Sequence, residues 1–549
     1  MTPIVRQMGF PPAPHIRAGQ VAYSLYNSRP VAQDVESNAG HDLVNQMISA
    51  GKQPKGCYFL GKDHIQQIFN PAETGGISRR DFMIVSSASL GLAAGLSGCR
   101  DAGAERAPAR NFTVTSLLGT SPFYIAHRGS GDTWPEHTAL AYASAVDYGV
   151  KAIEISVCAT SDGVLICHHD TNTLRLTGED LEIAEQPYER ISQLRNDATK
   201  WLGPKAPTQP LPRLADVLDR FAASHVIFIE DKQSTNTDAL LDLMDSYPDS
   251  RNHFVWKQTS SSSTRLKASA RGYRTWGYFD AGSADTFDKY APNHDFLGLY
   301  HAAPDSEMTA LMTYGKPVIV WEVHTRWMRE RLLRLGVRGI MCSNIPYVTS
   351  DIAHSTSDEF ATGIRSPGDL PWTINWALQP RIQPETESIR LDDGSEFSYT
   401  MGSLCPVPAS DYSINYEVRW PEAMPPNGGQ IGIAFGLRDD TPYRPNFAES
   451  PAGYHLMIDG KGTLALSSRV VRGNAAEVIA SSMSQAPREG QWLKFTVRVA
   501  AGGIRCSRVD SGVSSFAVAD ETHRGGYFVL CKGYNGRQPV EFRSVSVAR

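Results

Sequence analysis

Between residues 124 and 157 the chain reads YIAHRGSGDTWPEHTALAYASAVDYGVKAIEISV. His127, Arg128, Glu136, His137, Glu154 and Ser156 crowd where two apolar runs end, which a merely solvated surface would not require. A second group follows in HHD, with His169, and in EDK, with Glu230 and Lys232. Two imidazoles can divide general-base and general-acid work near neutral pH. Carboxylates such as Glu154 and Glu230 offer hard oxygens that suit Mg²⁺ or Ca²⁺ better than zinc. Arg128 and Lys232 bring fixed positive charge of the kind that clamps a phosphate. The sum is a cation-assisted attack on a phosphodiester.

These residues have to be positioned by elements. Short apolar runs recur as FYIAHRG, KAIEISV, HVIFIEDK, HFVWKQ, YRTWGYFD, DFLGLYHA, KPVIVWEVH and VRGIMCSN. Amphipathic stretches such as LADVLDRFAA, TDALLDLMDSY and TRWMRERLLRLG lie between them. Eight runs separated by helices or long loops predict an α/β fold, a (β/α)8 TIM barrel. A doubly wound open sheet is the alternative, but no glycine-rich dinucleotide turn supports it. Polar residues gather at the C-terminal ends of the runs, where barrel enzymes build their sites. Residues i and i+2 of a strand share a face, so Glu154 goes with Ser156 and Glu230 with Lys232.

Those motifs resemble the glycerophosphodiester phosphodiesterase family, within the barrel phosphodiesterases related to phosphatidylinositol phospholipase C. The family's HRG…PENT is matched by His127-Arg128-Gly129 and Pro135-Glu136-His137-Thr138. Its E-x-D-V…T-x-D-G…HD is matched by Glu154-Ile155-Ser156-Val157, Thr160, Asp162-Gly163 and His169-Asp170. HDTNTLRLTG, QPLPRLADVLD, IEDK, VIVWEV and GVRGIMCSNIP follow in the family's order, from about 122 to 352. The resemblance implies that His127 and His169 are the catalytic acid–base pair and that Arg128 and Lys232 bind phosphate. It makes Glu154 and Glu230 ligands of a divalent metal, Ca²⁺ or Mg²⁺, with Glu136 a supporting carboxylate. It places Trp321 in the pocket wall and an inserted subdomain, 171–212, over the pocket.

The sequence departs from that pattern at several points. Ser156 stands where the family has a metal-binding aspartate, and a hydroxyl is a poorer ligand for a hard cation. His137 replaces an asparagine, adding a nitrogen ligand or proton carrier, and Ser343-Asn344 replaces a threonine–aspartate pair. Lys257 and Glu322 add charges that the family pattern does not predict. His168, beside His169, is expected to be structural because alternation turns it away. The implied reaction is metal-dependent hydrolysis of a glycerophosphodiester to an alcohol and glycerol 3-phosphate. The alternatives are sphingomyelinase-D-like or phospholipase-like cleavage of a lipid phosphodiester, or a degenerate barrel that binds a phosphorylated surface glycopolymer.

At 549 residues the chain is long enough for two or three domains. Its 41% hydrophobic and 20% charged residues are those of a globular protein. A formal net charge of −5, with no basic run interleaved with aromatics, argues against nucleic acid as a partner. After residue 365 helical periodicity fades, and runs such as YSINYEVRW, GQIGIAFGL, GYHLMIDG and QWLKFTVRV follow one another. They predict an all-β jelly-roll sandwich over 365–549, resembling laminin-G and concanavalin-like domains. Tyr443 and Tyr454 are its candidates for stacking on glycan, beside ordinary packing.

Near the start, Arg79 and Arg80 precede a short Ser-, Ala- and Gly-rich apolar run that ends in Leu96-Ser97-Gly98-Cys99. A twin-arginine pair before such a run reads as an export signal. The final tetrapeptide resembles a bacterial lipobox, which implies a lipid anchor on Cys99 at the membrane. The expected organisation is a leader over 1–77, the signal over 78–99, a linker over 100–120 and the barrel over 121–355. Export permits disulfides, and of eight cysteines Cys506 and Cys531 are the most plausible pair.

Overall fold

The computed structural model describes residues 111–371, 379–425, 428–510 and 514–549. The twin-arginine segment and Cys99 lie outside these residues.

Eight parallel strands close into a barrel. They are β1 (Phe123–Ala126), β2 (Ala152–Ala159), β3 (Val226–Asp231), β4 (Phe254–Thr259), β5 (Arg274–Phe279), β6 (Phe296–Tyr300), β7 (Val318–Val323) and β8 (Gly339–Cys342). Each pairs with the next, and β8 returns to β1, where Phe123 opposes Gly339. These are the eight apolar runs of the sequence. Within the stretch expected as a linker, Val114–Leu118 forms a short helix whose Val114 and Leu117 are buried with Phe123.

Strand alternation sorts the side chains into two layers. Ile153, Ile155, Ile227 and Ile229 pack outward against helix residues such as Leu214, Leu218, Leu240 and Leu241. Helix Leu214–Phe221 buries Leu214, Val217, Leu218 and Phe221, the i, i+3, i+4, i+7 stripe such packing needs. Ala152, Val226, Phe228, Val255, Trp276, Phe296, Ile319 and Met341 form a separate interior cluster. Two residues further along the same faces come Glu154, Glu230, Lys257, Tyr278 and Trp321. The barrel lumen is therefore apolar at its base and charged and aromatic at its C-terminal mouth.

The C-terminal part is two antiparallel seven-stranded sheets among the described residues. One runs from Asp369–Pro371 through Gln430–Leu437 to Glu477–Met483; the other runs from Arg381–Gln383 through Tyr412–Arg419 to Ser514–Val518. Their facing side chains, including Ile414, Val418, Ile433, Leu456, Phe495 and Phe528, make one core.

Two expectations about this part are corrected. Cys506 and Cys531 are both free and buried. Along Tyr527–Lys532, Phe528 and Leu530 enter the core shared by the sheets, while Cys531 packs with Val529 and Tyr443 on the opposite face. Cys506 belongs to the shared core, so the two thiols face different layers. Tyr443 and Tyr454 are both fully buried, and the Tyr443 hydroxyl meets His455 Nδ1 at 2.7 Å. Neither presents a ring to a sugar.

Candidate active site

The first site element is the turn after β1. His127–Gly129 forms a 3₁₀ turn in which Arg128 has φ 53°. Gly129 has φ 76°, and a Cβ there would come within 2.8 Å of the Ala141 Cβ. Only glycine lets this turn lie against the following helix, Ala139–Tyr148. Thr138 caps that helix by accepting from the Ala141 N–H at 3.1 Å. His127 is buried, and its Nδ1 meets Ser343 Oγ of the loop after β8 at 2.9 Å, leaving Nε2 for chemistry. Burial holds His127 down to about 4, against which Glu322 acts and to which Arg128 adds.

Arg128 is fixed at both ends. Its backbone N–H donates to Glu154 Oε2 at 2.9 Å, and its guanidinium meets Glu136 at 3.3 Å and Glu322 at 3.8 Å. Glu322 lies where the register of β7 against β8 shifts, between Val320 and Val323. Glu136 also accepts from Arg175 Nη2 at 2.6 Å, and these two guanidinium groups hold its carboxyl far below the usual range despite burial. Arg175 reaches Asp170 as well, at 2.6 Å, and Asp170 in turn meets His169 Nδ1 at 2.7 Å. His169 sits down near 4, through burial and then the Arg128 charge. The contacts His169–Asp170–Arg175–Glu136–Arg128 thus run unbroken from one histidine to the residue beside the other.

The inserted segment 171–212 supports this cluster. Besides Arg175, Asn196 Nδ2 donates to the Glu136 carbonyl at 2.8 Å and Trp201 Nε1 to the Gly131 carbonyl at 2.9 Å. Trp321 joins Tyr278 and Tyr300 in an aromatic wall, with ring centroids 5.0 and 5.8 Å away. His168 is fully buried and its Nδ1 lies 2.7 Å from the Asp170 carbonyl, as a structural residue should. His137 is also buried, with Nδ1 at 2.6 Å from the Tyr142 hydroxyl and Nε2 unpartnered among the described residues.

Glu154, Ser156, Glu230 and Lys257 meet inside the barrel mouth. Ser156 pairs with Glu230 in register, and Ile229 with Trp256, so Ser156, Glu230 and Lys257 stand at one level of β2, β3 and β4. Lys257 Nζ lies 2.7 Å from Glu154 Oε1 and 2.6 Å from Glu230 Oε2. Glu154 Oε1 also accepts from the Ser156 hydroxyl at 3.1 Å, and Glu230 Oε1 from Tyr278 at 2.6 Å. Lys232 Nζ is 3.4 Å from Glu230 Oε1. The ammonium of Lys257 depresses both acids, Glu230 to about 2. A cavity of about 240 Å³ lies beside them, between the ends of β3, β4 and β5; Glu230, Lys232, Lys257, Gln258 and Tyr278 line it, and His127, Arg128 and His169 do not.

The family resemblance of the motifs implies a divalent metal held by Glu154 and Glu230. The donors in this chain do not fit one. Glu154 and Glu230 converge as expected, but on an ammonium, and the third position carries a serine. Glu136 is taken by two arginines. Among the described residues, no three His, Cys, Asp or Glu side chains are arranged to hold a metal ion.

Four site residues were not singled out from sequence. Tyr278 could have been found by its i+2 relation to Trp276, and Arg175 by its place in LRLTG. Asp132 and His324 carried no sequence signal. They form a 2.6 Å pair that, with Glu322 at 3.2 Å, pushes His324 up to about 10 despite its burial.

The sequence model of the glycerophosphoryl diester phosphodiesterase family matches residues 127–345. Among relatives, a glycerophosphodiester phosphodiesterase of Arabidopsis thaliana, GDPD6, is 45% identical over 64 residues, 12% of this chain and 17% of its own length. The putative glycerophosphodiester phosphodiesterase YhdW of Bacillus subtilis is 24% identical over 244 residues, 42% of this chain and 98% of its own. The chain thus spans less than a fifth of the first relative and nearly all of the second. Among solved structures, an Oleispira antarctica phosphodiesterase in complex with the product sn-glycerol-3-phosphate is 17% identical, with TM-score 0.37, over 42% of this chain and 97% of its own. A putative glycerophosphoryl diester phosphodiesterase of Silicibacter pomeroyi is 19% identical, with TM-score 0.36, over 41% and 90%. Over residues 127–345, under half of its length, this chain is similar to the glycerophosphoryl diester phosphodiesterase family.

Proposed function

We propose that the barrel hydrolyses a glycerophosphodiester to an alcohol and glycerol 3-phosphate. The observation that carries this reading is the placing of two imidazoles, buried His127 and half-buried His169, with Arg128 and Lys232 at the C-terminal ends of the barrel strands, inside the family match. Arg128 and Lys232 face the phosphate oxygens and offset their charge. One histidine takes a proton from water as its oxygen bonds to phosphorus. The other enters as imidazolium and gives its Nε2 proton to the alkoxide as the second phosphorus–oxygen bond breaks, and the proton taken up by the first restores the pair. Ser343 and Asp170 orient the two rings through Nδ1, leaving each Nε2 for proton transfer. The insertion, bonded to the turn after β1 through Arg175, Asn196 and Trp201, supports a small glycerol-sized group over a lipid. Since Lys257 lies between Glu154 and Glu230, no step is routed through Ca²⁺ or Mg²⁺.

The test is glycerol 3-phosphate release from glycerophosphocholine and glycerophosphoethanolamine by the purified protein. His127→Ala and His169→Ala should each lower turnover by about 100-fold or more. Absence of turnover on every glycerophosphodiester by the wild-type protein would overturn the reading.

We further propose that the twin-arginine segment exports the chain of a bacterium and that Cys99 anchors it to the membrane. Among the described residues no helix is long and apolar enough to cross one. Cys99→Ala should move the protein from the membrane fraction to the soluble one; unchanged fractionation counts against the anchor.

A further inference from the structure

We propose that the ammonium of Lys257 takes the place of a divalent cation in this barrel, which then needs no metal. The activity arm of this inference rests on the phosphodiesterase reading; its binding arm does not.

Position is the first argument. The two carboxylates that would be metal ligands, Glu154 and Glu230, each direct one oxygen to a single point, and Lys257 Nζ occupies it at 2.7 and 2.6 Å. The lysine side chain is only 7% exposed, and its ammonium lies 5.9 and 5.7 Å from the ring centroids of Trp276 and Tyr278. It is therefore a fixed part of the lumen rather than a side chain resting there from the surface.

Charge is the second. Three carboxylates with a divalent cation carry one net negative charge. So do two carboxylates with an ammonium. A serine at 156 in place of an aspartate and Lys257 two strands over thus compensate each other in charge. An aspartate at 156 would leave a third buried anion beside one ammonium. The Ser156 hydroxyl instead donates a hydrogen bond to Glu154 Oε1, the same oxygen that accepts from Lys257.

The neighbouring carboxylates are spoken for. Glu136 is held by Arg128 and Arg175, Asp170 by His169 and Arg175, and Glu322 by His324 and Arg128. Lys257 also keeps something a metal would supply. An ammonium has three N–H donors, and two are used on the glutamates. The third is available to the cavity lined by Lys232, where a phosphate oxygen would complete it.

Two measurements on the full chain test this. In the first, metal-stripped protein is dialysed to equilibrium against Ca²⁺ or Mg²⁺, beside Lys257→Met and the double variant Ser156→Asp/Lys257→Met. Wild type should hold no stoichiometric ion, and the double variant, shown folded by circular dichroism, should hold about one per chain. In the second, diester turnover is followed with chelator or with added metal. Wild-type rates should agree within about twofold, Lys257→Met should lose about 100-fold, and the double variant should turn over only with metal. One ion per wild-type chain, removed by Glu154→Gln, would overturn the proposal, as would wild-type turnover abolished by chelator and restored by Ca²⁺ or Mg²⁺. A folded double variant that binds no ion also counts against it. Wild type that binds no metal and cleaves no diester would sink the phosphodiesterase reading while supporting the Lys257 assignment.

Discussion

Ser343 Oγ sits 2.9 Å from His127 Nδ1 in a buried setting, so the hydroxyl and not water decides how that ring is held. Ser343→Ala removes the partner while leaving the substrate contacts in place. Turnover should fall about tenfold with KM nearly unchanged, a split that steady-state kinetics reads directly. Arg128 makes a different demand. It spreads its guanidinium between Glu136 and Glu322, which a lysine's single ammonium cannot reproduce. Arg128→Lys keeps the charge yet should lower kcat/KM by about 100-fold, because the phosphate-facing group is no longer aimed. Recovery of more than half the wild-type kcat/KM would show that charge alone suffices.

Among the elements, the helix after β7, Arg326–Arg334, ties barrel to sandwich. Asp440 of the sandwich accepts from the backbone N–H groups of Arg326 and Trp327 at 2.7 Å each and from the Tyr347 hydroxyl at 2.6 Å. It caps that helix from another part of the chain, with charge placed at the N-terminal end of the helix. Arg326 returns the contact by donating to the Cys405 carbonyl at 2.7 Å while its guanidinium lies over the Tyr347 ring. Asp440→Ala strands two buried donors and one half-buried one and should cost about 2 kcal/mol or more. Urea unfolding with an unchanged m-value is the check.

Over the whole molecule, acid stability follows from the buried histidines. His127, His169 and His455 lie near 4 and His301 near 3, each pushed down by burial from an ordinary value of 6.5. Between pH 6.5 and 4 the unfolded chain therefore binds protons that the folded chain does not. Stability is fully present above 6.5 and is lost as pH falls toward 4. Asp369, raised by burial to about 7, and His324, raised to about 10, work in the opposite direction but are two groups against four. The urea midpoint should be lower at pH 5 than at pH 7; an equal or higher midpoint would contradict the buried-neutral assignment.

Much of this molecule is written in local pattern. Eight apolar runs with polar C-terminal ends determine a barrel and its active end, because strand period and βα alternation are local properties. The HRG, PEH, EIS, HHD and EDK groups determine the chemistry for the same reason, since each sits within a few residues of a strand end. Only the tertiary structure decides what those groups touch. Lys257 is over 100 positions from Glu154, yet their strands bring both to one level, and the ammonium settles between the glutamates. The Asp132–His324 pair joins residues 192 apart, and no local signal could announce it. Cys506 and Cys531 look pairable by count, but strand alternation turns them into different layers. Residue type sets which charges are present; closure of the barrel sets which of them neutralise each other.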